Sequence, residues 1–433
     1  MAGAIACLSA APAAAAPAIL ESSTVGVHPD GITVGSDGHL WWTDDGKLGE
    51  GPQGFGTAMV AISFFSTMPT MAAPNEITAG PTGSLWFVGD GAATGAPVGK
   101  ETLPAKGGPG FFSGPAAGEY LQDITRGPDG ALYATALAHS PGHVGSTCGA
   151  DCFIERINPA DGSANLVSAT HSDAFSTGGP VGCVGKSGIV SANGALYFTE
   201  PTLDEIAKYD PVAHTVTQVA HVPALDSFPS DLTLGGDGRL WFTEPGADKI
   251  GSMTPSGGST TEYSTTGAAC QIETGPDGNV WFTEPDASKV GRVTQAGKVT
   301  EYATPTPNAG PLGITAQNGG IAITENQAGK LAGITVGPAS QTGAASAITS
   351  TGATIAGQLN PNGSATSWVV QYGTTTSYGT GTTKTNAGSG FSSVRTSVSL
   401  TGLTANTTYH YRLVATNSTD TTYGADRTFM STP

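Results

Sequence analysis

His28 and Asp30 are residues whose types and spacing suggest proton transfer. They lie two positions apart in the segment HPDGIT, where a carboxylate could orient the imidazole of a general base. A plain surface role fits them equally, because a histidine beside a proline in a loop commonly carries no chemistry. We therefore treat His28 and Asp30 as a candidate catalytic pair, with a structural role as the alternative.

A recurrent glutamate suggests a different chemistry, the binding of a divalent cation. It ends an FTE or ITE segment at four places: Glu200, Glu244, Glu284 and Glu325. After the last three, a lysine follows five residues later, at Lys249, Lys289 and Lys330. Ion pairs across a tight hairpin explain that pattern without any ligand. After Glu200 the corresponding position holds Glu205, so Glu200 and Glu205 are the candidate metal ligands.

The cysteines suggest an oxidising compartment. Cys148 and Cys152 lie in the segment STCGADC and predict a small disulfide ring. A C-x-x-x-C zinc site is the alternative, although no second ligand pair stands nearby. Cys183 and Cys270 remain, and the sequence leaves open whether they pair.

Charge and the N-terminal segment limit the location and the partners. Acidic residues outnumber Lys and Arg by 34 to 17, for a net charge of −17, which disfavours nucleic acid and anionic membranes as partners. Residues 1–17 resemble the apolar region and cleavage site of a secretory signal peptide. The basic segment is missing, which suggests that the leader begins further upstream. No other segment is long and apolar enough to span a bilayer, so we expect a secreted monomer.

A repeated segment must position these groups. Its clearest copies are DLTLGGDGRLWFTEPGADKIG from Asp231 and QIETGPDGNVWFTEPDASKVG from Gln271. The aromatic of the LWFTE block, or its replacement, recurs at intervals of 45, 47, 64, 44, 40 and 41 residues, at Trp41, Trp86, Tyr133, Tyr197, Trp241, Trp281 and Ala322. Four-stranded propeller blades have this length. With 63 glycines and 29 prolines also disfavouring helices, the sequence predicts an all-β, seven-bladed β-propeller over residues 18–336.

The last copy of the repeat is incomplete. It ends after its third strand, at Ile334. We predict that residues 18–26 supply the missing outer strand, because closure of the ring removes an exposed sheet edge.

Residues 337–433 resemble a fibronectin type III module. Trp368 lies in an early core strand, Leu403 precedes a turn, and Tyr409 opens a strand of alternating character, in the manner of a tyrosine corner. We predict a fibronectin type III-like β-sandwich for this segment. Such modules space or attach their partners and imply no catalysis.

The blade consensus P-x-G-I-T-x-G-x-D-G-x-L-W-F-T-E resembles the virginiamycin B lyase family over residues 28–335. The resemblance implies a propeller that opens the lactone ring of type B streptogramins by elimination, with Mg²⁺ polarising the ester and a histidine removing a proton. The family's two histidines would fall on Cys270 and Leu312, and its nearby acid on Gly310. An unassisted thiol suits proton abstraction poorly, and Leu312 cannot transfer a proton. We therefore expect little or no streptogramin lyase activity.

These substitutions favour a binding or scaffold role outside the cell, toward a small molecule, a glycan or a cell-wall component. The alternative is a magnesium-dependent carbon–oxygen lyase or lactonase that acts on a cyclic ester with rearranged catalytic residues. A purely structural surface protein, with the sandwich as a spacer, is a third possibility.

Overall fold

A computed structural model describes residues 17–51, 63–65, 74–89, 98–103, 110–112, 119–138, 149–174 and 186–433. The chain divides into two compact units, one formed by Ile19–Ile334 and the other containing Thr335–Pro433. Among the described residues, no helix has the length and apolar character that crossing a membrane requires.

The first unit is a propeller of seven four-stranded antiparallel sheets within the described residues, which confirms the predicted fold class. Blade 1 contains Pro29–Val34, Leu40–Asp44, Lys47–Gly51 and Ser63–Phe65. Blade 2 contains Pro74–Ala79, Ser84–Gly89, Val98–Thr102 and Gly110–Phe112. Blade 3 contains Glu119–Arg126, Leu132–Ala138, Gly149–Ile157 and Ala164–Ala174.

The remaining blades follow in chain order. Blade 4 contains Ile189–Ala192, Ala195–Glu200, Glu205–Asp210 and Thr215–His221, with a short 3₁₀ helix at Pro201–Leu203. Blade 5 contains Leu232–Leu234, Leu240–Glu244, Lys249–Met253 and Thr261–Ser264. Blade 6 contains Ile272–Thr274, Val280–Glu284, Lys289–Val293 and Val299–Ala303. Blade 7 contains Pro311–Gln317, Gly320–Glu325, Lys330–Thr335 and the N-terminal strand Ile19–Glu21.

The repeated residues of each blade have defined packing roles. The second strand is buried along its whole length, as in LWFTE of blade 5, because both of its faces are covered by neighbouring blades. The glycine of the KIG segment is required by close approach. A Cβ atom on Gly251 would lie 2.1 Å from the ring of Phe242, and one on Gly291 would lie 2.0 Å from the ring of Phe282. The repeated sequence therefore specifies the packing between strands as well as the turns.

The N-terminal strand closes the ring, as predicted. Ile19, Leu20 and Glu21 pair antiparallel with Ile334, Gly333 and Ala332. Glu21 also forms an ion pair with Lys330 at 2.8 Å. The outer edge of blade 7 is thus covered by a segment from the other end of the propeller sequence.

The second unit contains two sheets. One consists of Ala339–Ser346, Gly352–Asn360 and Val394–Thr401. The other consists of Thr366–Gly373, Thr380–Gly381, Thr385–Gly388, Thr408–Thr416, Thr421–Tyr423 and Arg427–Met430. The Tyr409 hydroxyl accepts a hydrogen bond from the Thr404 amide at 2.9 Å, as a tyrosine corner does. The assignment to the fibronectin type III class stays a prediction.

Candidate functional site

The inner strands of the blades surround a central channel. They line a cavity of about 200 Å³. We call the part of this cavity lined by Glu76, Asp123, Lys186, Asp231 and Cys270 the channel mouth. Cys270 is one of the two positions that the family resemblance assigns to catalytic histidines.

Those two positions are apolar in this protein. Cys270 and Leu312 are 1% and 8% exposed and form a small hydrophobic cluster together. Their carbonyl groups accept hydrogen bonds from the hydroxyls of Thr243 and Thr283, each at 2.9 Å. Cys270 is disulfide-bonded, and it is the one cysteine whose side chain belongs to the described part of the structure. It therefore offers no thiolate, and neither position supplies a base.

Gly310, where the resemblance places the family's acid, has a left-handed backbone conformation. Gly310 has φ = +60°, and a Cβ atom there would lie 2.7 Å from the side chain of Gln327. Its carbonyl accepts the amide of Asn326 at 2.9 Å. A glutamate at this position would be strained and would clash with its neighbour. The loop around Gly310 therefore accepts a side chain poorly at this position.

These residues do not fit Mg²⁺. The ion prefers several oxygen ligands in octahedral geometry, whereas Cys270, Leu312 and Gly310 present no side-chain oxygen. The second predicted metal site has a different surrounding. Glu205 faces Glu200 across the hairpin, and its carboxylate lies 3.6 Å from Nδ1 of His221, while Glu200 is buried. A metal site at Glu200 and Glu205 stays a prediction.

His28 and Asp30 do not come together. Nδ1 of His28 lies 2.9 Å from Oδ2 of Asp45, and both side chains are more than half exposed. Asp30 points toward the channel, where Oδ1 lies 3.9 Å from Nζ of Lys186. The aspartate that contacts the imidazole of His28 is therefore Asp45 and not the predicted Asp30. His28 lies outside the channel mouth.

The recurrent glutamates need a correction. The register places Glu244 opposite Lys249 and Glu284 opposite Lys289, as predicted, yet the lysines form their ion pairs with other acids on outer strands. Those pairs are Lys249–Glu262, Lys289–Glu301 and Lys330–Glu21. The glutamates of the second strands lie beneath these pairs, and Glu244, Glu284 and Glu325 are completely buried. The repeated glutamates therefore have a structural role. They form a buried layer beneath the ion pairs, and they do not pair with the lysines as predicted.

The predicted Cys148–Cys152 disulfide lies outside the described residues, because the structure does not describe Cys148 or the side chain of Cys152. That disulfide stays a prediction.

A cluster of carboxyl groups occupies the channel mouth. Asp123 and Asp231 accept the amides of Ile189 and Ile272 in the next blade at 2.8 and 2.9 Å, so they join adjacent inner strands. Glu76 is held differently. It accepts the side-chain amide of Gln271 from the far side of the ring, and its Oε1 lies 3.5 Å from Nζ of Lys186. Long side chains thus converge across the channel on Glu76.

Burial dominates the electrostatics of this cluster. It raises the pKa of Glu76 well above its usual range, and the negative charges of Asp123 and Asp30 act in the same direction against Lys186. Burial likewise raises the pKa of Asp231 well above its usual range. It raises the pKa of Glu273, deeper in the channel, to about 7. One lysine does not neutralise these acids, so the mouth holds protons or attracts cations.

The acidic mouth was not predicted from the sequence, although a signal exists there. An acid precedes the first apolar residue of the inner strand in NEIT, QDIT and SDLT, whereas the other blades have glycine or glutamine at that position. Glu273 similarly replaces the threonine that most other blades carry one residue after the apolar position. Only the closed ring shows that residues far apart in sequence, such as Glu76 and Gln271, share one site.

Comparison with known proteins agrees with this fold. Residues 164–342 match the virginiamycin B lyase family, which confirms the predicted resemblance over that segment. Virginiamycin B lyase from Staphylococcus aureus has 23% sequence identity and a TM-score of 0.57, with 74% of this chain and 99% of that chain covered.

Two further solved structures are informative. A catalytically inactive histidine-to-alanine variant of the Staphylococcus aureus lyase, solved with quinupristin, has 22% identity and a TM-score of 0.57, and covers 74% of this chain and 99% of that chain. An extracellular domain assigned to a hybrid two-component system of B. thetaiotaomicron has 10% identity and a TM-score of 0.51, and covers 97% of this chain and 58% of that chain. No curated protein shows significant similarity to the chain. At these identities the solved structures establish the fold alone.

Proposed function

We propose that this propeller is an exported binding protein that takes up its ligand at the channel mouth without breaking bonds in it. One observation carries the proposal. The two positions where the resemblance places catalytic histidines hold a disulfide-bonded cysteine, Cys270, and a leucine, Leu312, which pack against each other. A variant of the Staphylococcus aureus lyase that lacks one histidine is described as catalytically inactive, which supports a binding role for a chain that has neither histidine at these positions.

Export is supported by independent features. A disulfide at Cys270 favours an oxidising compartment, and residues 1–17 resemble a secretory leader. The likeness to the extracellular domain from B. thetaiotaomicron agrees with this location.

The charges of the mouth favour a ligand with a positively charged amine. Glu76 and Asp30 both approach the single ammonium of Lys186, at 3.5 and 3.9 Å, and Asp123 and Asp231 add two more carboxyl groups. A cationic ligand would replace protons on carboxyls whose pKa is raised by burial. Its affinity should therefore increase as pH rises, because proton release then costs less.

The alternative is a carbon–oxygen lyase or lactonase with relocated catalytic groups. Its supporting observation is the same cluster, because carboxyl groups with a raised pKa, such as Glu76 and Glu273, are suited to general acid–base catalysis near neutral pH.

A turnover and binding experiment distinguishes the two functions. We expect incubation with a type B streptogramin and Mg²⁺ to give linearisation on the order of 10⁴-fold slower than for the Staphylococcus aureus lyase, because groups that transfer protons contribute roughly 10²–10⁴-fold each. Elimination leaves the mass unchanged, so the product is identified by chromatographic retention and fragmentation. Calorimetry with a short diamine should show binding that strengthens from pH 6 to pH 9, while the matched diol should not bind.

The matched variants are Glu76→Gln in the mouth and Glu262→Gln on the outer strand of blade 5. Only Glu76→Gln should weaken diamine binding. Turnover that EDTA abolishes would replace the binding function with the lyase alternative, and His28→Ala and Glu76→Gln would then locate the base. Equal diamine affinity in the parent and Glu76→Gln would exclude the channel mouth as the amine site.

A further inference from the structure

Blade 1 carries a cluster of three metal-ligating side chains at the end remote from the channel mouth. Nδ1 of His39 lies 2.5 Å from Oε1 of Glu50 and 3.9 Å from Oδ2 of Asp37. One ligand atom from each residue lies within 4.8 Å of the others, and all three side chains are partly accessible. Among the described residues, this is the one group of three that could hold an ion.

The other blades show what this location normally contains. Asp37 precedes the marker aromatic by four residues, as do Asp129, Asp237 and Asp277. Each of the last three pairs with an arginine, in the pairs Asp129–Arg156 at 2.9 Å, Asp237–Arg239 at 2.7 Å and Asp277–Arg292 at 4.0 Å. The repeat thus places a cationic group next to this aspartate in three blades.

In blade 1, other residues occupy both of the positions at which blades 5 and 6 have an arginine. His39 occupies the position of Arg239, two residues before the tryptophan. Glu50 lies opposite Trp41 in the register, as Arg292 lies opposite Trp281. The usual Asp–Arg pair has therefore become two carboxylates with an imidazole between them. Two carboxylate oxygens and an imidazole nitrogen are ligands of divalent transition metals, whereas the guanidinium of an Asp–Arg pair offers no ligand atom.

We propose that Asp37, His39 and Glu50 bind a divalent transition metal, with Zn²⁺ as the preferred ion. Carboxylate oxygen and imidazole nitrogen are zinc ligands at about 2.0–2.2 Å, which places ligand atoms about 3.3–3.6 Å apart in a tetrahedral site. The observed separations of 2.5 and 3.9 Å lie on either side of that spacing. Small rotations of partly exposed side chains suffice to admit the ion, which takes the place of the proton between His39 and Glu50.

The aspartate is already fixed in position. Its Oδ1 accepts the backbone amide of His39 at 3.0 Å and the indole Nε1 of Trp41 at 3.3 Å. The Trp41 side chain is 1% exposed and therefore holds a constant position. Outer hydrogen bonds of this kind orient a ligand and support metal affinity.

The proposal is tested by titrating the metal-free full chain with ZnCl₂. Calorimetry measures the Zn²⁺ affinity, and thermal unfolding measures the melting temperature with and without the ion. His39→Ala and Glu50→Gln should each lower the Zn²⁺ affinity of this site by at least about tenfold. The double variant His39→Arg with Glu50→Ser reproduces the Arg239–Ser252 arrangement of blade 5. It should fold, because that arrangement is stable elsewhere in the same ring, and it should lose the zinc-dependent rise in melting temperature.

The matched controls are His28→Ala and His410→Ala, which remove histidines paired with a single aspartate at 2.9 and 2.8 Å. They should change the Zn²⁺ affinity less than twofold. If the parent binds no Zn²⁺, or if the double variant binds it as tightly as the parent, blade 1 does not contain the site.

Discussion

A chain that lacks residues 18–26 should melt at least about 10 °C below the parent and should aggregate. The deleted segment supplies the outer strand Ile19–Glu21 and the side chain of Val25, which is 2% exposed. Each lost hydrogen bond contributes about 1 kcal/mol and the buried valine about 1.5–3 kcal/mol. The bare edge of Lys330–Thr335 would then be open to pairing with another chain.

Differential scanning calorimetry and light scattering measure this effect. Leu20→Ala is the matched control, because Leu20 belongs to the same strand but is 46% exposed, and surface substitutions usually change stability by less than about 0.5 kcal/mol. An intermediate variant, Glu21→Gln, removes the ion pair with Lys330 at 2.8 Å and should cost less than the deletion. If the truncated chain melts within a degree or two of the parent, another segment seals the ring.

The buried glutamates of the second strands should make the protein less stable at alkaline pH. Burial raises the pKa of Glu244 to about 8, with a further contribution from the Glu262 charge. Burial raises the pKa of Glu325 to about 8 and that of Glu284 to about 7. Neither carboxylate oxygen of Glu244 has a hydrogen-bond partner, and the nearby ammonium groups of Lys249 and Lys330 offset only part of the cost of ionising Glu244 and Glu325.

The direction of this pH dependence follows from proton binding. The folded state holds these protons more tightly than the unfolded state, so their contribution to the free energy of unfolding is complete below about pH 4.5. It falls as pH rises toward 8, by at most about 1.4 kcal/mol per pH unit for each group. Glu244→Gln and Glu325→Gln keep the shape of the side chain without the titration. We expect both variants to exceed the parent in stability at pH 9 and to lose that advantage at pH 5.

Urea unfolding at pH 5, 7 and 9 measures the difference in the free energy of unfolding between variant and parent. The contributions of the other acids of the chain are common to both proteins and cancel in this difference. Asp286→Asn is the control, because Asp286 is an exposed acid two residues after Glu284 and its replacement removes a carboxyl group outside the buried layer. A Glu244→Gln effect that does not vary between pH 5 and pH 9 would mean that Glu244 does not change ionisation across this range.

Local information explains why the fold was predictable. Each blade encodes its turns, its buried second strand and its obligatory glycines within about 40 residues, so seven copies specify seven similar sheets. The closing strand was also predictable, because an incomplete seventh copy and an unused N-terminal segment leave one consistent arrangement.

The candidate sites were less predictable. The replacement of the family's histidines at Cys270 and Leu312 was visible in the alignment of repeats, and the structure adds that the two residues pack together. The His28–Asp30 and Glu200–Glu205 pairs were inferred from adjacency in sequence or across a hairpin. Their actual partners, Asp45 and His221, are supplied by neighbouring turns and strands, whose side-chain directions the pattern does not specify.

The sequence by itself determined the strand repeat and the number of blades, because these depend on short-range spacing. It also indicated the closing strand, because the seventh copy of the repeat lacks its outer strand. Only the tertiary structure decided which charges meet. Glu76 and Gln271 are 195 residues apart in the chain and touch across the channel. Lys249, Lys289 and Lys330 each bond to an acid of the outer strand. Closure of the ring brings distant positions together, and burial within it then sets their protonation, since the cost of ionising a carboxyl depends on its surroundings in space and not on its neighbours in sequence.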